Sequence, residues 1–307
     1  MNNLLKLSLA VATVLMAGNA MAVQTKSIVD SKHNLGSTSV ASPTATRNST
    51  TATTEVCVFC HTPHGGVAKD GDGNAVAPLW NKSLPAKASF STYNTLGTAT
   101  LQGSVTSVGS VSIACLSCHD GSQAMDVMIN QPGSGGYNAA GARLAGTWTS
   151  PDGTVDTATG KMKTTDPIPG LGTDLTNDHP IGIQYAGGLR SGQTDRSLSA
   201  SYKNPDFRGL ASTSINGNTV WYVPVPATNA TTGVANAING TQISPVSGIR
   251  NKTDMALYTR TDAGIDAGAA QPFVECASCH DPHQADTKTF LRIDNTGSAV
   301  CLACHVK

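Results

Sequence analysis

Cys57-Val58-Phe59-Cys60-His61 recurs in form at Cys115-Leu116-Ser117-Cys118-His119, Cys276-Ala277-Ser278-Cys279-His280 and Cys301-Leu302-Ala303-Cys304-His305. The four pentapeptides hold all eight cysteines of the 307-residue chain and four of its eight histidines. Residues three and four apart share one face of a helical turn. Both sulfurs of such a turn can bond one porphyrin edge as thioethers while the next residue, the histidine, faces the iron. Cys-x-x-Cys-His is the attachment signature of c-type haem. Zinc sites also use Cys-x-x-Cys pairs, and an exported chain with eight cysteines suggests disulfides, but neither requires a trailing histidine at every pair.

The remaining histidines are His33, His64, His179 and His283, four for four irons. With His61, His119, His280 and His305 as proximal ligands, bis-histidine ligation would use every histidine of the chain. The irons would be low-spin and six-coordinate. Methionine is the competing sixth ligand, but Met125, Met128, Met162 and Met255 read better as apolar filler. His64 and His283 each lie three residues past a proximal histidine, too close to swing round to the far face of the same haem. Short separation gives His283 to the haem of Cys301 and Cys304. The internal repeat Cys-x-x-Cys-His-x-Pro-His gives His64 to that of Cys115 and Cys118. His33 and His179 are then left for the first and third motifs, with His33 free to serve a neighbouring subunit or its own.

Composition agrees with a cofactor-built interior. Charged residues make up 13% of the chain, aromatics 5%, and there are 31 glycines, a poor supply of large apolar side chains for a core. Equal numbers of basic and acidic residues, without Lys/Arg clusters, argue against nucleic acid as a partner. Residues 1–22 read as a secretory signal peptide, with Lys6, an apolar run from Leu7 to Ala17, and Ala20-Met21-Ala22 for cleavage. No later segment reads as a transmembrane span.

The expected mature chain, 23–307, is a single tetrahaem domain, mostly irregular, with short helices at the haem motifs and small β-hairpins, wrapped around a chain of four c-type haems. It divides into an N-terminal arm (23–55), the first haem pair (56–121), a loop and hairpin insert (122–270) and a compact second pair (271–307). Ser39–Thr54 lacks periodicity and reads as extended. Asp70-Gly71-Asp72-Gly73-Asn74 starts like a calcium loop but has Ala75 and Asn81 where that loop needs Gly and Glu, so it reads as a solvated turn.

Lys32-His33, Val56 to His64, Pro78-Leu79-Trp80-Asn81, Cys115 to Gly121, Asn177-Asp178-His179-Pro180-Ile181-Gly182 and Cys276 to His305 carry a resemblance. The sequence resembles the doubled Cys-x-x-Cys-His multihaem cytochromes. More narrowly, it is similar to the extracellular tetrahaem cytochromes of metal-reducing bacteria that polymerise into conductive filaments (the OmcE type). That resemblance implies bis-histidine haems throughout, a histidine able to ligate a haem of the next subunit, and long-range electron transfer to acceptors outside the cell. The implied partners are copies of the chain in a filament, redox partner proteins and extracellular acceptors.

Three functions compete on the sequence. A filament subunit explains the large insert as interface. A discrete periplasmic carrier would need less polypeptide per haem. A multihaem reductase would need an iron with an open position, and the histidine count leaves none. The expectation is an electron carrier and not an enzyme, placed on the outer surface, with the periplasm as the alternative.

Overall fold

The computed structural model describes residues 27–37, 47–165, 168–225, 250–261 and 265–306. The signal-peptide reading and the first half of Ser39–Thr54 (39–46) lie outside these residues. The chain is loop-rich, with few short helices and small antiparallel sheets. The elements that position the site are, in chain order, β1 (Val67–Lys69), β2 (Ala75–Trp80), α1 (Ser110–His119), β3 (Val127–Asn130), β4 (Tyr137–Arg143), β5 (Ile183–Gln184), β6 (Ala211–Ile215), β7 (Asn218–Val223), β8 (Met255–Arg260), β9 (Gln271–Val274), α2 (Cys276–Cys279) and α3 (Ala299–Cys304).

The hairpins follow their turn chemistry. β1 and β2 flank the Asp70–Asn74 turn, where the Asp70 carboxylate accepts the backbone N–H groups of Asp72 and Asn74. The Lys87 ammonium sits 2.7 Å from both Asp70 and Asp72, so an internal cation occupies the place that the calcium comparison would assign to a metal. Asn216-Gly217 joins β6 to β7 with φ of 51° and 78°, the left-handed pair that a two-residue hairpin of this hand needs.

The insert forms more than separate hairpins. β6, β7, β8, β9 and β5, in that order, make one five-stranded antiparallel sheet, with Tyr222 opposite Ala256 and Phe273 opposite both Tyr258 and Gln184. Beside it, Tyr185, Tyr202, Leu210, Val223, Met255 and Leu257 form an apolar core that receives Ala303 of α3 and Ile293. Among the few aromatic residues, Tyr185, Tyr202, Tyr222 and Phe273 are nearly fully buried. The large side chains are shared among five small clusters, so each motif packs on a little polypeptide core.

The N-terminal arm is also tied to the chain. Ser49–Thr50 pairs antiparallel with Trp148–Thr149, Asn48 donates to the Thr154 hydroxyl, and Lys32 meets Asp152 at 3.4 Å. Among the described residues, no helix is long and apolar enough to cross a membrane.

Candidate haem-attachment site

Each Cys-x-x-Cys-His begins as a helical turn. His61, His280 and His305 donate their backbone N–H to the carbonyl of the first cysteine of their motif, at 2.8, 3.1 and 2.9 Å. His119 ends α1, whose last turns carry Cys115 and Cys118. The two sulfurs and the imidazole of each motif therefore share one turn. None of the eight cysteines is in a disulfide. Among the described residues, no group of three or more His, Cys, Asp or Glu gathers as a metal cage. Burial pushes the thiols of Cys60 and Cys304 up to about 12 and that of Cys279 to about 11. These three sulfurs lie in apolar surroundings, as thioether-forming cysteines against a porphyrin edge would.

The motifs adjoin in sequence order. Motif one adjoins α1 through Trp80, which packs against both Cys60 and Ala114. Cys115 and Cys276 are within hydrogen-bonding reach, which raises the Cys115 thiol and lowers that of Cys276, and Cys279 interacts with Cys301 and Cys304. The middle junction is fastened by Glu275. Its buried carboxylate accepts the Gly109 N–H at the start of α1 (3.1 Å) and the Ser112 hydroxyl (2.5 Å), and pairs with Arg260 at 3.1 Å. Ser112 in turn accepts the N–H of Cys276.

The imidazoles are held in a common way. Nδ1 of His61 lies 2.7 Å from the Pro78 carbonyl, that of His119 2.8 Å from Pro169, that of His280 2.8 Å from Thr289, and that of His179 3.0 Å from Pro180. The His33 ring hydrogen-bonds the Pro282 carbonyl, and burial, with His119 nearby, lowers its pKa to about 4. A carbonyl at Nδ1 sets the tautomer and leaves Nε2 for a metal, the outer-shell pattern of ligating histidines.

Two pairs of histidine rings come together, one near-parallel and one edge-on. His61 and His283 have centroids 6.1 Å apart with planes 15° from parallel, and His33 and His119 have centroids 6.3 Å apart at 64°. These contacts set the rings beside neighbours other than those that short sequence separation suggests. His283 lies opposite His61 and not beside Cys301 and Cys304, because the loop after α2 folds back over the first motif. His33 lies opposite His119 of its own chain, because strand pairing and the Lys32–Asp152 contact dock the arm. His64 lines an open cavity of about 480 Å³ with Cys57, His61 and Tyr137, at the first motif and not the second. That volume is within the range of cofactor pockets. Neither His64 nor His179 meets another histidine ring among the described residues.

Residues missed by motif reading complete the setting. Trp80 packs with Ala114 of α1 and Cys60, lies edge-on to His61, and has a buried indole N–H with no acceptor from the protein. Asn81 donates to the carbonyls of Val58 and Asn130 and accepts the Asn130 N–H, clamping motif one to β3. Lys82 is fully buried and donates to the carbonyls of Met125 and Val127. Met128 packs beside Cys60, and Met125 with Met162 beside Cys118, as filler. The paired rings and the unpartnered indole donor beside a proximal histidine fit an apolar, iron-bearing group with acidic edges.

The family model described as the doubled CXXCH motif matches residues 271–307, which contain α2, α3 and the last two pentapeptides. No curated protein matches the chain. The match supports a multihaem c-type cytochrome, with covalently bound haem, involved in electron transfer.

Proposed function

We propose that the chain carries four haems, one on each Cys-x-x-Cys-His, and works as a relay that passes electrons along them without substrate chemistry of its own. The observation that carries this reading is the contiguity of the four motifs: Trp80 packs against both Cys60 and α1, Ser112 of α1 accepts the Cys276 N–H, and Cys279 and Cys304 pack on one core. Bound haem supplies a reversible one-electron iron couple. The chain's part is to hold each iron between imidazoles, exclude water with Met and aromatic side chains, and fasten adjacent motifs through Glu275 and Asn81. All eight histidines are assigned to iron. His64 and His179 are left for the irons of His280 and His305, within the chain or across a boundary between copies.

The narrower reading is polymerisation into an extracellular conductive filament, after export directed by residues 1–22. Exposed apolar side chains support it at both ends of the motif series: Leu79 and Tyr137 near motif one, Leu302 and Val306 at motif four.

The test is a haem count and visible spectrum of protein purified from an exporting host. Four covalent haems, low-spin in both oxidation states and inert to carbon monoxide, are expected. Fewer than four haems would refute the count. High-spin iron that binds carbon monoxide in the unaltered protein would favour a reductase. Negative-stain microscopy showing only discrete particles would refute the filament.

A further inference from the structure

We propose that His61 and His283 are the axial ligands of one iron and His119 and His33 those of another, and that the two irons differ electronically because their ligand planes are set at different angles. The inference rests on the haem-binding reading above and adds the pairing and its consequence.

Two imidazoles bound to opposite sides of one metal, with bonds of about 2.0 Å, have ring centroids about 6.3 Å apart. The observed separations are 6.1 Å for His61–His283 and 6.3 Å for His33–His119. Rings in ordinary stacking contact approach more closely, as His33 does with Phe290 at 4.1 Å. Both proximal rings have Nδ1 on a carbonyl, so their Nε2 atoms are the ones available to iron. On the distal side, Nδ1 of His283 lies 3.6 Å from Asp281, and the His33 ring is held by Pro282. One loop, Asp281-Pro282-His283, thus supplies the distal ring of the first motif and orients that of the second. Arg292, 3.7 Å from Asp281, braces the loop.

The plane angles carry the electronic consequence. Each imidazole donates into the iron dπ orbital perpendicular to its ring. Near-parallel planes, 15° at His61–His283, raise one dπ orbital above the other and give a rhombic low-spin ferric centre. Planes near perpendicular, 64° at His33–His119, act on both orbitals and leave them nearly degenerate, which gives a large-gmax, ramp-like resonance. The angle is held by the outer-shell carbonyls and by Phe290, stacked on His33 at 9°.

The experiment is low-temperature EPR of the oxidised holoprotein, with His283→Ala and His33→Ala variants. Unaltered protein should show both signal types. His283→Ala should remove about one haem's worth of the rhombic signal, and His33→Ala about one haem's worth of the large-gmax signal. Added imidazole should restore low-spin iron in each. If an alanine variant fails to accumulate, His283→Met and His33→Met keep the site six-coordinate and should each produce the sulfur-to-iron charge-transfer band of a His/Met haem. The pairing is overturned if either alanine variant keeps its full low-spin intensity, or if the two losses are exchanged. Protein that carries no covalent haem would instead overturn the reading on which the pairing rests.

Discussion

Glu275→Ala tests whether the middle of the motif series is held by one buried carboxylate. Glu275 is 1% exposed, and its two oxygens serve Gly109, Ser112 and Arg260, whose side chain is 9% exposed. Removing the carboxylate takes the Glu275 ion pair from the buried Arg260 guanidinium and its acceptor from the Gly109 N–H. Breaking a buried pair from one side costs about 3–5 kcal/mol, and each orphaned neutral donor about 1–3 kcal/mol. These losses overlap, so about 4 kcal/mol is expected. That is nearly a thousandfold in the folding constant and on the order of 10 °C in Tm. Glu275→Gln keeps acceptors for Gly109 and Ser112 and should lose about half as much. Adding Arg260→Met to Glu275→Ala should recover part of the loss, since the buried charge leaves with its partner. The assay is denaturant and thermal unfolding of the holoprotein, followed by circular dichroism and by the Soret band. A loss below about 1 kcal/mol for Glu275→Ala, or no recovery in the double variant, would refute the reasoning.

Asn81→Ala should cost about 2–4 kcal/mol, because it strands the Val58 and Asn130 carbonyls and the Asn130 N–H, and denaturant unfolding will show it. At Gly170, an added Cβ would meet the Lys163 carbonyl at 1.8 Å, beside the Pro169 carbonyl that supports His119. Gly170→Ala should therefore destabilise by about 1–3 kcal/mol or more and disturb the second haem's spectrum, whereas Gly153→Ala, with open space around it but φ of 74°, should cost less and leave the spectrum unchanged. The Asp70–Lys87 pair gives a pH test. Its hydrogen bonds to Lys87 and to the turn hold the Asp70 carboxyl below its ordinary value despite burial. The stabilisation is fully present above the ordinary carboxylate pKa near 4 and is lost as pH falls through the lower folded value. A double-mutant cycle with Asp70→Asn and Lys87→Met should show a coupling of about 1 kcal/mol at pH 7 that fades below pH 4, measured by urea unfolding. A coupling constant across that range would contradict it.

The four Cys-x-x-Cys-His pentapeptides, the turn each forms, and the loop-rich, hairpin-bearing chain were legible from sequence, because they depend on local geometry. A cysteine, its partner three residues on and the next histidine share a turn wherever they occur, and Asn216-Gly217 makes its hairpin from its own φ preferences. The buried packing of the methionines also followed from their type and position.

What spacing does not carry is which histidine rings come together. His283 is near Cys301 in sequence and His33 lies in a polar, unpatterned arm, so distance along the chain does not indicate that their rings lie beside His61 and His119. The rings meet only after the Asp281–His283 loop folds over motif one and Ser49–Thr50 pairs with Trp148–Thr149. The five-stranded sheet escaped for the same reason, since its strands come from 183–184, 211–223, 255–260 and 271–274 and their pairing has no local signal. Glu275 looked like an ordinary acid before a motif until tertiary packing set it against the start of α1 and Arg260. By itself the sequence determined which residues could attach haem and how many histidines stood ready, because thioether reach and ligand identity are properties of single turns and side chains. Only the tertiary structure decided which imidazole meets which, because that choice depends on segments far apart in the chain packing into one rigid arrangement.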